Sequence, residues 1–207
     1  MYDFTTLSTI QLLYLIEVAD WDSQERLGYG LCSYRATPEN TGLTDVIDWH
    51  SGCVAYSEWS AVKYRHMENL WGNVHQFVDG INFVNNQVYI CTDPALYGPY
   101  KTTPDYTRLG FDSSSVNDGI WITDYGFDKN FKYALVATDG TDDGSGYPAV
   151  DGYVKNNQHG SYKVLIVGGS SEGNQTASGL FYFNIECPYE GYSRYFGSRS
   201  IYLPPAV

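Results

Sequence analysis

The sequence predicts an α+β fold with one or two helices, a short-stranded antiparallel sheet and long loops. Three observations support this class: a helical pattern near the N-terminus, short β patterns from Glu68 onward, and long turn-rich segments between them. The length of 207 residues suits one domain or at most two. The 20 Tyr, 9 Phe and 5 Trp exclude intrinsic disorder. So many tyrosines either fill a core or cover a contact surface.

The first helix is predicted from Ser8 to about Asp20. Ser8 and Gln11 match a capping box, in which the N-cap hydroxyl and the Gln side chain satisfy each other's backbone N–H groups. The segment is apolar on most sides, which indicates packing on two faces. A second short helix is expected near Leu43 to His50, and Ala55 to Arg65 fits a strand or a helix equally well.

The strands follow after Glu68. Apolar residues that alternate between Val74 and Ile90, on either side of the polar run Asn85 to Gln87, predict a hairpin. The apolar run from Tyr162 to Val167 is typical of a central strand that is covered on both faces. Further short strands are expected at Ile120–Ile122, Ala134–Ala137, Leu180–Phe183 and Ser198–Leu203.

Three long segments without a strand or helix pattern separate these elements: Thr92–Gly119, Asp139–Gly160 and Asn184–Phe196. Loops longer than about 15 residues are uncommon unless they are functional. The sequence therefore predicts a sheet that acts as a scaffold and loops that form the working surface.

Charge and hydropathy exclude two classes of partner. With 12 basic and 24 acidic side chains the net charge is −12, so the chain repels phosphate backbones and we expect no nucleic-acid partner. No apolar run approaches the roughly 20 residues of a membrane helix, so we expect no membrane insertion. The N-terminus does not follow the signal-peptide pattern.

The cysteines and histidines do not follow any metal or catalytic pattern. The four cysteines, Cys32, Cys53, Cys91 and Cys187, are 21, 38 and 96 residues apart, so we expect buried thiols rather than disulfides or a zinc site. The four histidines lack the H-x-x-x-H spacing. Asp139 to Gly144 is rich in carboxylates but lacks the bidentate Glu of a calcium loop, and we interpret it as a solvated acidic turn. We expect no metal, no cofactor and no enzymatic activity.

An ordered set of motifs carries a resemblance to a known family. The segments are Glu68–Gly80 with Gly72-Asn73-Val74 at its centre, Trp121–Asp128, Val167–Ser170, Gly179–Asn184 and Phe196–Arg199. Together they resemble phage tail-associated proteins with a C-type-lectin-like fold. The Gly-Asn-Val core is also similar to that of formylglycine-generating enzymes.

This resemblance implies that residues 1–207 are a single C-type-lectin-like domain, the C-terminal part of a longer phage or prophage protein. In this group, diversity-generating retroelements mutate adenines near the 3′ end and so vary a receptor-binding loop. Here that loop is at about residues 184–196, and mutated Asn codons account for most of its residues, though not for Glu186 and Glu190. The implied partner is a bacterial surface protein or glycan, and the implied location is the virion or the bacterial surface.

The expected contact residues are of the types that dominate binding interfaces, because Tyr and Arg combine large rigid area with hydrogen bonding. They are Ile185, Glu186, Cys187, Tyr189, Glu190, Tyr192, Ser193, Arg194 and Tyr195.

Several alternatives remain open. Tyr189, Tyr192 and Tyr195 are spaced by three, which also fits one inward face of a helical turn, and Cys187 fits a varied position and a core position equally. The same loop face also suits a tail or collar module that assembles subunits, including a homo-oligomer. An oxidase like the formylglycine-generating enzymes is a weaker alternative, because Cys187 has no partner cysteine in the last third of the chain.

Overall fold

The computed structural model describes residues 2–33, 37–85, 87–112, 120–141, 153–155, 162–173, 177–185 and 187–200. Within that part of the chain the protein has the α+β fold that the sequence predicts. The helices are α1 (Phe4–Val18) and α2 (Ser23–Leu27), with 3₁₀ turns at Leu43–Val46 and Pro94–Leu96. The strands are β1 (Gly52–Cys53), β2 (Val62–Tyr64), β3 (Met67–Glu68), β4 (His75–Val84), β5 (Gln87–Ile90), β6 (Thr107–Asp112), β7 (Ile120–Asp128), β8 (Phe131–Thr141), β9 (Tyr153–Lys155), β10 (Lys163–Gly169), β11 (Ser178–Asn184) and β12 (Phe196–Gly197).

Helix α1 begins four residues earlier than predicted. The Asp3 side chain is the N-cap and accepts a hydrogen bond of 2.8 Å from the Thr6 N–H. Ser8 and Gln11 are buried inside the helix, and Gln11 Nε2 donates to the Leu180 carbonyl at 2.9 Å. The predicted capping box is therefore wrong, because these two polar residues face the body of the protein rather than the helix end.

The described strands form two sheets. The small sheet has the order β1-β2-β3, and the large one has the order β6-β5-β4-β10-β11-β9-β7-β8, with β12 paired to β4. The predicted hairpin of β4 and β5 is confirmed, with Ile81 opposite Ile90 and Val84 opposite Gln87. The pairs β9–β11 and β4–β12 are parallel, so the large sheet is mixed rather than purely antiparallel.

Several predicted strand boundaries change. The predicted short strands near Ile120 and Ala134 are the long hairpin of β7 and β8, which also takes in Asp139 to Thr141 of the predicted acidic turn. The rest of that turn lies outside the described residues. Strand β6 occupies part of the predicted loop 92–119.

The last described strand begins two residues before the predicted strand Ser198–Leu203. Phe196 and Gly197 form β12, residues 198–200 are irregular, and 201–203 lie outside the described residues. Between Ala55 and Arg65, Val62–Tyr64 forms strand β2, and the predicted second helix is the 3₁₀ turn Leu43–Val46.

Aromatic side chains fill the core between α1 and the sheets. Tyr14 is fully buried, and its ring lies 5.7 Å from that of Tyr64 and 5.8 Å from that of Phe181, both edge-on. The equally buried Trp71 donates its indole N–H to the Gly28 carbonyl at 2.9 Å. Each of these large rings is therefore held by a specific contact as well as by burial.

The motifs that carry the family resemblance meet where β3, β4 and β10 come together. Gly72 and Gly168 both have positive φ, 73° and 83°, and the Gly72 N–H donates to the Gly168 carbonyl at 2.7 Å. A side chain at Gly168 would place its Cβ 2.6 Å from the Leu70 carbonyl oxygen, so glycine is required for this close approach. Asn73 binds both the N–H and the carbonyl of Glu39, at 2.8 and 2.9 Å.

The same region holds the C-terminal segment through Arg199. Its guanidinium donates to the carbonyls of Glu68 and Asn69 and to Gln76 Oε1. Gln76 Nε2 in turn donates to the Asn69 carbonyl at 2.7 Å. We call Arg199, Glu68, Asn69 and Gln76 the arginine node; it fixes the chain just after β12 and so positions the loop that precedes it.

In the described part of the chain, no helix combines the length and the apolar character that a bilayer-spanning helix needs.

Candidate ligand-binding face

The C-terminal loop, residues 185–195, leaves the sheet after β11 and returns to it at β12. Backbone contacts hold it at both ends: the Val164 N–H donates to the Cys187 carbonyl at 3.1 Å, and the His75 N–H donates to the Tyr195 carbonyl at 2.8 Å. Pro188 also forms a β-bridge with Lys163. The loop is therefore fastened to β10 and β4, two paired inner strands of the large sheet.

Three of the predicted contact residues point inward. Ile185, Cys187 and Tyr195 are buried, and Ile185 belongs to the main hydrophobic core. The prediction that they contact a ligand is wrong for this structure, because side chains that close the core cannot touch an external partner. Glu186 lies outside the described residues.

The remaining predicted residues lie at the surface. Tyr192 is 96% exposed and Tyr189 is 46% exposed. Glu190 and Arg194 are also exposed, whereas Ser193 is half-buried and its hydroxyl accepts from the Tyr195 N–H at 3.2 Å. Arg194 lies over the Tyr195 ring, 4.7 Å from its centroid, and donates to the Tyr195 hydroxyl.

The three tyrosines do not form one face of a helical turn. Residues 187–195 have no helix, and the structure separates the tyrosines into one buried and two exposed side chains. Cys187 occupies a core position, and burial raises the pKa of its thiol.

Two further tyrosines, which the sequence analysis missed, join this surface. The Tyr100 ring lies 5.4 Å from that of Tyr189 and 5.2 Å from that of Tyr162, nearly perpendicular to the latter. Its hydroxyl donates to the Glu190 carboxylate, and this hydrogen bond raises the pKa of Tyr100 to about 12. Tyr100 is nevertheless 44% exposed. The only sequence signal for it is its place in the long segment 92–119.

We call Tyr100, Tyr189, Glu190, Tyr192 and Arg194 the tyrosine face. It presents phenol rings, one carboxylate and one guanidinium, a mixture that stacks on flat or apolar groups and exchanges hydrogen bonds with polar ones. Tyr100 contacts the C-terminal loop from the side through Tyr189 and Glu190, and Tyr162 packs against Tyr100, so the loop presents its outer side chains from a supported position. This arrangement suits recognition of a surface or an extended ligand.

The described residues contain no group of three His, Cys, Asp or Glu side chains close enough together to hold a metal ion. None of the four cysteines forms a disulfide, and all except the half-buried Cys53 are buried. The predicted burial of the thiols holds for Cys32, Cys91 and Cys187 but not for Cys53.

In comparisons with known proteins, no family model matches this chain, and no curated protein matches it significantly.

Proposed function

We propose that this chain is the receptor-binding domain of a phage or prophage protein and recognises a bacterial surface protein or glycan through the tyrosine face. On this proposal it works by binding and has no enzymatic activity, and it acts on the virion or at the bacterial surface. The observation that carries the proposal is the exposure of Tyr192, at 96%, beside two further exposed tyrosines on a firmly held loop.

The cost of exposing these rings supports a role in binding. Tyr and Trp are frequent at interface hot spots because they bury large area with little loss of side-chain freedom. An isolated exposed apolar residue needs no explanation, but three tyrosines from two loops that meet at one surface do. The two loops are joined by the hydrogen bond from the Tyr100 hydroxyl to the Glu190 carboxylate, and these residues are 90 positions apart in the sequence.

A single C-type-lectin-like domain is the fold that we propose. The convergence of Gly72, Asn73, Gly168 and Arg199 supports it, since segments that the resemblance lists separately lie together in space. Their contacts are structural, so on this proposal the motifs specify the fold while the tyrosine face specifies the ligand.

The direct test is a double substitution, Tyr189→Ala with Tyr192→Ala. Fluorescently labelled protein is added to whole cells of bacterial strains related to the one that carries the gene, and bound protein is measured by flow cytometry. For a strain that binds the original protein, we expect the variant to bind about thirty- to a thousandfold more weakly, because each hot-spot tyrosine contributes about 1–2 kcal/mol. The thermal unfolding midpoint should change little, since both side chains are exposed.

Phe127→Ala is the matched control, because Phe127 is an exposed aromatic residue in the β7–β8 hairpin. It should bind as the original protein does. Equal loss in both variants, or undiminished binding by the double variant, contradicts the proposal. If the double variant instead converts an oligomer into a monomer in analytical ultracentrifugation, the face assembles subunits and the tail-module alternative replaces receptor binding.

A further inference from the structure

A second exposed aromatic surface lies on the loop that joins β1 to β2. Tyr56 is 54% exposed and Trp59 is 62% exposed, and Val54 in the same loop is also exposed. The motifs of the resemblance do not include this segment, and no residue of the tyrosine face lies on it. We call Val54–Ser60 the aromatic loop.

Hydrogen bonds hold the aromatic loop in one shape. The Val54 N–H donates to the Ala61 carbonyl at 3.3 Å, and the Ala55 N–H donates to Ser60 Oγ at 2.8 Å. The Glu58 carbonyl accepts from the Cys32 N–H at 2.9 Å, which ties the loop to the chain after α2. Because these hydrogen bonds fix the backbone of the aromatic loop, its aromatic side chains stay at the surface and do not turn into the core.

Tyr56 extends this surface to α2. Its ring centroid lies 5.0 Å from that of Tyr29, and its hydroxyl donates to the Glu25 carbonyl at 2.8 Å. Partial burial raises the pKa of Tyr56, and the nearby Tyr29 hydroxyl and Glu25 carboxylate raise it further. Glu25 therefore lies within electrostatic reach of the ring.

Two carboxylates, those of Glu25 and Glu58, belong to the surroundings of the aromatic loop. Glu25 is exposed and Glu58 is half-buried, and neither forms an ion pair with another described residue. Neighbouring cations have other partners: Arg26 pairs with Asp20 at 2.6 Å, and Lys63 donates to the Ile47 carbonyl at 2.6 Å. Among the described residues, the charged groups at this surface that lack an ion pair are thus carboxylates.

We propose that Tyr29, Tyr56, Glu58, Trp59 and Glu25 form a second recognition surface that binds an arginine- or lysine-bearing segment of a partner protein. An aromatic face attracts a cation through its quadrupole, most strongly for Trp, and the two carboxylates add charge complementarity. The net charge of −12 steers such a segment toward the chain. This surface is independent of the tyrosine face and of the receptor that binds there.

The test uses an acetylated and amidated tetra-arginine peptide as the probe. The five Trp residues each give one indole N–H signal in a ¹⁵N spectrum, and Trp59→Phe identifies the signal of Trp59. We expect added peptide to shift the Trp59 signal and to leave that of the buried Trp71 in place. Tyr56→Ala and Glu58→Gln should each raise the dissociation constant about two- to fivefold. Added salt at 0.5 M should weaken binding further.

Two matched controls separate this surface from a general attraction to an acidic protein. Asp128→Asn removes one charge in the β7–β8 hairpin, and Trp49→Ala removes an exposed aromatic residue before β1. Both should leave the dissociation constant unchanged. A loss of affinity for Asp128→Asn equal to that for Glu58→Gln overturns the proposal, as does the absence of a Trp59 shift.

Two other occupants would give different results. A larger Trp59 shift with maltotetraose than with the peptide assigns the surface to neutral sugars. A shift that depends on protein concentration alone assigns it to a second copy of the chain. Either result overturns the proposal as well.

Discussion

Arg199 is a half-buried cation whose three acceptors are all uncharged oxygens: two backbone carbonyls and the Gln76 amide. Burial lowers its pKa, although the hydroxyl of Tyr2 and the carboxylate of Glu68 partly oppose that effect. A guanidinium supplies several donors in a fixed fork. This one side chain therefore hydrogen-bonds both to the end of β3, at Glu68 and Asn69, and to the start of β4, at Gln76. Its removal takes one donor from each of these oxygens, although the Asn69 carbonyl keeps its hydrogen bond from Gln76 Nε2.

Arg199→Met tests this role of the guanidinium. The substitution keeps the apolar stem but removes every donor, and we expect it to lower the free energy of unfolding by about 2–4 kcal/mol. Urea denaturation provides the measurement. Arg194→Met is the matched control, because Arg194 is exposed, and it should change the free energy by less than about 1 kcal/mol. Equal effects of the two substitutions would contradict the role assigned to the node.

At the residue scale, local patterns were a poor guide to partners that are distant in sequence. Ser8 and Gln11 have the spacing of a capping box, yet Gln11 binds Leu180, 169 positions away. The exposure of Tyr189 and Tyr192 agrees with the contact residues predicted from sequence, whereas Tyr195 three positions later is buried. Composition and spacing are the same for all three tyrosines, so only the path of the backbone separates them.

At the scale of elements, one ionic contact joins α1 to the β2–β3 hairpin. The Glu17 carboxylate near the end of α1 accepts from the Tyr64 hydroxyl at 2.6 Å and from the Arg65 guanidinium. The hydrogen bond from Arg65, and then that from Tyr64, lowers the pKa of Glu17 below its ordinary value of 4.5. Arg65 and His66 form the hairpin turn with positive φ, 47° and 63°, so the contact holds a tight turn against the helix.

This contact makes stability depend on pH. Because the folded-state pKa of Glu17 is lowered, its contribution is fully present above pH 4.5 and is lost as the pH falls through the folded-state pKa. We expect Glu17→Gln to have a lower thermal unfolding midpoint than the original protein at pH 7, and a smaller difference at pH 3, below the ordinary pKa of 4.5. Scanning calorimetry at both pH values checks this. A difference of the same size at pH 3 would show that the carboxylate charge is not involved. The control is Glu39→Gln, because the Glu39 carboxylate is exposed and has no ion pair among the described residues. This variant should have the same unfolding midpoint as the original protein at either pH.

The sequence predicted those strands whose side chains are clearly divided into buried and exposed positions, or are buried on both faces. The hairpin of β4 and β5 and the buried strand β10 follow from apolar alternation and an apolar run. Strand β6 did not, because prolines and polar residues around it are typical of a loop and its place at the edge of the sheet comes from pairing with β5. Burial patterns thus identify the central strands, while edge strands depend on neighbours that the local sequence does not specify.

At the scale of the whole molecule, the tyrosines divide between core and surface. Among the described residues, Tyr2, Tyr14, Tyr64, Tyr106, Tyr182 and Tyr195 are buried, and Tyr56, Tyr100, Tyr189 and Tyr192 are exposed. The aromatic content is therefore divided between the core and the exposed surface. The encounter of Tyr100 with the C-terminal loop was beyond sequence reasoning, because it depends on how two long loops approach each other in space.

The thiols report on the integrity of the whole core. Cys32, Cys91 and Cys187 are buried in separate parts of the chain, whereas Cys53 is half-buried and burial raises the pKa of its thiol. We expect a thiol reagent such as dithionitrobenzoate to modify at most one cysteine, slowly, in the native protein at pH 7.5. All four should react at once in guanidinium chloride. Rapid reaction of three or four thiols under native conditions would show that the core opens easily and would contradict this packing.

The C-terminal loop is fastened through peptide groups: the carbonyls of Cys187 and Tyr195 and the backbone bridge at Pro188. Every residue type supplies a carbonyl, so these attachments do not depend on which side chains point outward. A substitution at Tyr192, which is 96% exposed, therefore changes the side chains of this surface at little cost to folding, whereas Tyr189 and Glu190 also contact Tyr100. One framework can in this way present different side chains at the same exposed surface.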